Sequence, residues 1–250
     1  MSALVLTLLY AVGLGAGWLI GAIGVGGVLL VPALVVIGGM DVSAATPVAS
    51  LSFLFTGVFG TGVYARTGRL KTDAVLWLTI GAAPGAIAGA ATNVALPSRA
   101  VTIAIVIVLA AATVRTLRRP QGGGEEPDRD MSRGLYVTIG GLVGFASALT
   151  GTGGPVLLIP VIMLVGGATV TAVAAGQPIQ IPIALAATAG FLILGEIDWP
   201  LGIGLGLAQG TGTVAGAHFS HRAPARMLQN LVSIAMGAAA IVFVTKAVLG

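Results

Sequence analysis

The sequence predicts an all-α polytopic membrane protein made of two homologous repeats, the second inverted relative to the first. Each repeat is expected to hold a glycine-broken, re-entrant hairpin of half-helices and three transmembrane helices. Three observations predict this. Only 8% of the 250 residues are charged and 56% are hydrophobic, and several apolar runs exceed the length of a membrane span. Gly24 to Pro32 reads GVGGVLLVP, and Gly151 to Pro160 reads GTGGPVLLIP. The two halves align in order with an offset near 128: Leu29-Leu30-Val31-Pro32 matches Leu157-Leu158-Ile159-Pro160, Ala88-Gly89-Ala90 matches Ala215-Gly216-Ala217, and Pro97-Ser98-Arg99 matches Pro224-Ala225-Arg226.

The composition also excludes classes. The net charge is +4, but the basic residues cluster in short loops between apolar runs, which is orientation charge and not a nucleic-acid surface. There is no cysteine, so disulfide, thiolate-metal and thiol redox chemistry are unavailable. Met1 to Tyr10 lacks the basic start of a cleaved signal peptide and reads as mature protein. Abundant Gly and Ala predict close helix–helix approach through small residues.

Repeat 1 is expected over residues 1–117, a cytoplasmic linker over 118–133 and repeat 2 over 134–250. The first apolar run, about Ala3 to Gly39, is too long for one straight span and breaks at Gly24, Gly26 and Gly27. A span follows over Val42 to Tyr64, then the basic loop Arg66 to Lys71, then a span from Ala74 to about Leu96. Pro97 opens the next, to about Thr116, as suits a residue without an N–H. The charged, Pro/Gly-rich segment Arg118 to Arg133 reads as the linker. The second broken run covers about Gly134 to Gly167, and spans follow over Val170 to Leu194, Trp199 to Phe219 and Pro224 to about Val248. The stripes Gly13, Gly17, Gly21 and Gly81, Gly85, Gly89 read as packing surfaces.

After each break only about eleven apolar residues remain, roughly half a bilayer at 1.5 Å per residue. Each broken run then returns to its starting side, each repeat has an odd number of crossings, and the second is inverted. Loop charge agrees: Arg66, Arg69 and Lys71 face a counterpart with Glu196 and Asp198, whereas Arg99 faces a counterpart with His221, Arg222 and Arg226. Inversion places ten of the twelve Lys and Arg on the linker side, against nine in a parallel arrangement; the loop-by-loop swap decides it. Both termini are expected outside.

The duplicated GxGG…P elements, the GxLxxD turn at Gly68 to Asp73, the GxIDW turn at Gly195 to Trp199 and the PxR starts at Pro97 and Pro224 together resemble the TauE/SafE sulfite-exporter family, also called TSUP anion permeases. The resemblance covers Gly13 to Ile241. It implies transport of a small sulfur-containing or carboxylate anion, without choosing which. Where many members have Ala-Thr-Ser in the second span, this chain has Ala45-Thr46-Pro47 and Ala175-Gly176-Gln177.

The physics of a broken helix points the same way. Unpaired backbone at membrane depth survives only when buried in protein or lining a wet cavity. A half-helix starting at Gly26-Gly27 or Gly153-Gly154-Pro155 aims free N–H groups and its positive dipole end at the break, an anion site without Lys or Arg. The candidate binding residues are Gly24, Gly26, Gly27, Thr46, Ser50, Thr150, Gly151, Thr152, Gly153, Gly154, Gln177 and Gln180. Packing is the competing explanation for the glycines, and bonding to the preceding turn for Thr and Ser. Gln177 and Gln180 bring amide groups that need partners wherever they are buried.

No nucleophile–base pair, metal cluster or phosphate loop suggests an enzyme, and no cofactor is implied. The expected function is a secondary transporter of a small oxyanion in the inner or plasma membrane, exporting rather than importing, with one repeat rocking against the other. Its partners are the anionic solute and the lipid bilayer, with no nucleic acid; a homo-oligomer is left open. An anion channel and a non-transporting scaffold or accessory subunit are the alternatives.

Overall fold

The computed structural model describes residues 1–67, 70–97, 99, 100, 103, 107, 131–165, 169–194, 197–220, 227 and 234. Among these every regular element is helical. The expected spans over 98–116 and 224–248, nearly all of the linker, and Gly166-Gly167 lie outside the described residues, apart from isolated positions in the two spans.

Helix α1 (Ala3–Ile23) ends where the first glycine cluster begins. Gly24 caps it with φ 76°, its N–H bonding to the Ile20 carbonyl. The chain resumes as a 3₁₀ turn over Gly26–Leu29 and only then as helix α2 (Leu30–Val36). The half-helix expected to start at Gly26-Gly27 therefore has a tight first turn. The long α3 (Val42–Tyr64) and α4 (Thr72–Ala95) follow. Helix α5 (Arg133–Thr150) takes in Arg133, the last residue of the expected linker, and ends as α1 does. Its cap is Gly151, with φ 61° and its N–H on the Ser147 carbonyl. Then come α6 (Gly154–Leu164), α7 (Thr169–Leu194) and α8 (Trp199–Ser220). A residue with a Cβ resists the left-handed conformation, so glycine at 24 and 151 is what lets the chain turn there.

Four helices are long and apolar enough to cross a membrane: Ala3–Ile23, Val42–Tyr64, Thr72–Ala95 and Thr171–Ile193. At 1.5 Å per residue, the 21 residues of α1 reach about 31 Å, the thickness of a hydrocarbon core. The chain is a multi-pass membrane protein.

Glycine backbones set the packing. On α4, a Cβ at Gly81, Gly85 or Gly89 would strike the carbonyl of Val137, Gly141 or Phe145 of α5, in that order, so the two helices run parallel with backbones in contact. On α1, Gly17 and Gly21 meet the carbonyls of Gln209 and Thr213 of α8 in the same way, Gly13 lies against the Leu205 side chain, and Gly212 and Gly216 press on Leu14 and Trp18. Gly202, Gly206 and Gly210 of α8 meet Leu51, Phe55 and Phe59 of α3, again in parallel. Gly57 and Gly60 of α3 meet Ile181 and Gln177 of α7 in reverse order. Helix α5 is likewise antiparallel to α3: Ser147 and Ser50 line the same cavity, while Gly151 lies against Thr46. Helices α1, α3 and α8 thus run one way, and α4, α5 and α7 the other.

The apolar side chains divide mainly along the same lines, with Val156 and Ala184 crossing into the first core and Leu51 into the second. One core gathers Leu9, Ile20, Leu30, Leu34, Val48 and Leu205, from α1, α2, α3 and α8. The other gathers Leu78, Val143, Leu158, Ile179 and Phe191, from α4, α5, α6 and α7. The two meet where the glycine breaks touch.

Candidate functional site

Each broken run lays its turn against the other. A Cβ at Gly24 would collide with Ile159, and one at Gly151 would come within 2.8 Å of Val31. Gly27 sits on the carbonyl of Thr152, beside the ring of Phe53. Gly26 folds back onto the Ala16 carbonyl of its own α1. Gly24, Gly26 and Gly27 are therefore buried in tight contact, with no open space beside them.

The second break opens onto a narrow cavity, whose room for a water centre is about 10 Å³, or about one water molecule. Of the expected site residues, Ser50, Gly153, Gly154 and Gln180 line it. Gly153 has φ 84°, and α6 starts immediately after it with Pro155 in its first turn. Pro155 has no N–H, but the other N–H groups of that turn lack intrahelical acceptors and carry the positive end of the helix dipole. Thr150 and Thr152 stand behind this turn. Thr150 Oγ1 donates to the Ala146 carbonyl at 2.6 Å and lies 2.8 Å from Thr152 Oγ1.

Thr46 and Gln177 lie outside the cavity lining. Thr46 Oγ1 donates to the Val42 carbonyl of its own helix at 2.8 Å, the ordinary fate of a threonine in an apolar helix. Gln177 Nε2 donates to the Ile20 carbonyl at 3.2 Å, and its side chain fills the notch left by Gly60. Its Oε1 is buried without a protein partner.

Three contributors were not marked out by sequence. Ser147 lines the cavity from α5, and Phe53 walls it from α3. The hydroxyls of Ser147 and Ser50 have no hydrogen-bond partner within the described protein. Thr56, one helical turn from Phe53, donates to the Phe53 carbonyl at 2.9 Å and accepts from Gln180 Nε2 at 2.8 Å. A third buried glutamine, Gln209 on α8, contacts Ser52 at 3.3 Å. Ser52 already donates to the Ala49 carbonyl at 2.7 Å, so Gln209 ties α8 to α3. A lone glutamine in an apolar run was the available signal for Gln209. Nothing in the local sequence separates Ser147 from a serine that merely bonds its own helix.

A second, wider opening of about 330 Å³ lies between the ends of α3 and α8. Its lining includes Val58, Phe59, Val214, Arg66 and His218. Near the start of α4, Trp77 Nε1 donates to Asp73 at 3.2 Å, and the Arg133 guanidinium lies 5.2 Å from the Trp77 ring centre. Such a polar and aromatic cluster suits the water–lipid boundary.

Interrupted helices that meet inside the membrane are a recurring feature of secondary transporters. The family model of the sulfite exporter TauE/SafE matches residues 9–243. The chain belongs to the TauE/SafE family. Over 243 residues, covering 94% of this chain and 91% of the relative, it is 24% identical to a protein of Sinorhizobium sp described as probable membrane transporter protein ORF9. No solved structure matches. Membership of TauE/SafE supports a membrane-transporter role for the chain and makes an enzyme the poorer reading of its buried serines.

Proposed function

We propose that this chain is a secondary transporter that exports a small sulfur-containing or organic oxyanion, such as sulfite or a sulfonate, across the inner or plasma membrane. The observation that carries the proposal is the cavity at the start of α6. There the start of a helix at Gly153-Gly154 and the side chains of Ser50, Ser147 and Gln180 line one narrow space, and a helix start offers N–H groups to an anion. Among the described residues no charged side chain lines it, so the anion is held by dipoles and hydrogen bonds that also let it leave. Family membership and the relative's printed name favour the same reading.

The mechanism is alternating access between two bodies. Several contacts recur across the two halves. Gly85 on Gly141 corresponds to Gly212 on Leu14, and Gly89 on Phe145 to Gly216 on Trp18, each residue shifted by about 127 positions in sequence. Gly24 against Ile159 corresponds likewise to Gly151 against Val31. Such reciprocity is the mark of a two-fold relation, and the opposite directions of α1 and α5 favour inverted repeats. Gly38 lies beside Met1, which favours a first hairpin that returns to its starting side. The glycine seams argue against one repeat rocking on the other, because α4 is held by α5 and α8 by α1. The bodies are instead α1, α2, α3 and α8 against α4, α5, α6 and α7, each built mainly on one core, with Val156 and Ala184 reaching into the first core and Leu51 into the second. The cavity lies between them, and its present width fits an occluded state, since sulfite alone has four heavy atoms. Arg66 lies at the wider opening, where its positive charge raises the local anion concentration.

The test is counterflow in proteoliposomes with sulfite, thiosulfate, alkyl sulfonates and small carboxylates. Saturable exchange of at least one anion is expected. Large single-channel currents would favour a channel, and silence with every anion, together with no thermal stabilisation by any, would defeat the anion reading.

A further inference from the structure

One residue that lines the cavity, Gln180, carries a group that suits a bare anion poorly. The hydroxyl of Thr56 donates to the Phe53 carbonyl, so its lone pair receives Gln180 Nε2, and this fixes which way the amide points. Gln180 is 1% exposed, and its Oε1 has no protein partner. A buried carbonyl oxygen is an acceptor only. Beside an oxyanion with no hydrogen of its own it meets lone pairs, and the unmade hydrogen bond is a cost. A second, separate observation concerns charge. Among the described residues no Lys or Arg lines the cavity, and burying an anion without a counter-ion grows far more costly with a second negative charge.

We infer that the site selects a singly charged oxyanion that carries one hydrogen-bond donor of its own, and that Gln180 Oε1 receives that donor. The inference rests on the transport reading above and narrows its substrate class. The donor has two chemical sources: the acid proton of a hydrogen oxyanion, or a hydroxyl or amino group on an organic sulfonate or carboxylate. In either case the N–H groups of the first turn of α6 take the charged oxygens, and Gln180 takes the X–H.

The experiment compares half-saturation in proteoliposome counterflow for three sulfonates: 2-hydroxyethanesulfonate, ethanesulfonate and 1,2-ethanedisulfonate. The first two share a charge and differ by one hydroxyl, and the third adds a charge and no donor. The hydroxylated monoanion is expected to bind at least about tenfold more tightly than ethanesulfonate, and the dianion most weakly. Sulfite, followed across the pH range in which hydrogensulfite loses its proton, reads the acid-proton source when ethanesulfonate, which keeps its charge, is followed over the same range to account for His218 and Arg66 at the wider opening; no described lining residue of the cavity is titratable. Gln180→Met keeps the length of the side chain and removes the acceptor. It is expected to bring the first two sulfonates within about twofold of each other. Equal binding of ethanesulfonate and its hydroxylated analogue by the unaltered protein, with no preference for hydrogensulfite, overturns the inference and leaves anion transport standing. An undiminished preference in Gln180→Met overturns the role of Gln180. No transport of any anion overturns both readings together.

Discussion

Two hydroxyls of similar burial have opposite prospects. Thr46 is fully buried and spends its hydrogen on the carbonyl four residues back, whereas Ser147 is 3% exposed and faces the cavity without a protein partner. A hydrogen bond to a charged ligand is worth roughly 1.5–3 kcal/mol. Ser147→Ala is therefore expected to raise the half-saturation concentration for the transported anion by about 10- to 100-fold, with Thr46→Val within about twofold of the unaltered protein. Counterflow kinetics separate the two. The left-handed glycines give a second contrast. Gly39, with φ 66°, has open space where a Cβ would go, while Gly24, with φ 76°, has Ile159 there. Gly39→Ala should cost roughly 1–2 kcal/mol from backbone strain alone. Gly24→Ala should cost about 1–3 kcal/mol more from overpacking. Thermal unfolding in detergent is expected to rank them in that order.

At the scale of elements, the glycine seams decide what can move. Gly85→Val and Gly212→Val would each drive a side chain into the backbone of a neighbouring helix, and both should lower the melting temperature by several degrees or prevent folding. Gly15→Ala and Gly62→Ala enter open space and are expected to be neutral or slightly stabilising, because alanine is the better helix former. The chain has no cysteine, so thiols introduced in pairs report cleanly on motion. Trp77→Cys with Arg133→Cys, bridged across α4 and α5 by a short bifunctional reagent, should leave counterflow running. Phe53→Cys with Ile183→Cys, bridged across α3 and α7 where both residues line the cavity, should stop it. The reverse result would mean that the two cores do not move as units.

For the molecule as a whole, much of the layout was legible in the sequence. The spans over 42–64 and 170–194 match α3 and α7 within a residue, because long apolar runs bounded by polar turns have few other readings. Both breaks were legible, since clustered glycines cannot hold a helix. What could not be read was which helix lies against which. The stripe Gly81, Gly85, Gly89 announces a close partner but carries no mark of its identity, and the partner turned out to be α5, beyond the linker. For the same reason the first break, with three glycines at the same spacing, looked as promising as the second. Only packing revealed that Ala16 and Thr152 already fill its surroundings. Ser147 escaped notice because its importance comes from a hole in the fold and not from its neighbours in the chain. Orientation remains a prediction of loop charge: a reporter fused after Gly250 is expected to behave as extracytoplasmic, and one placed in the linker as cytoplasmic.

The exchange of helices between the halves bears on how such a chain is assembled. If α4 is clasped by α5, and α1 by α8, a polypeptide ending before the linker would present bare glycine ridges to lipid with nothing to cover them. Cut between residues 118 and 130 and made as two separate products, the pieces should each be degraded when alone. Produced together in one cell, they should knit into a working pair, like two hands interlacing fingers.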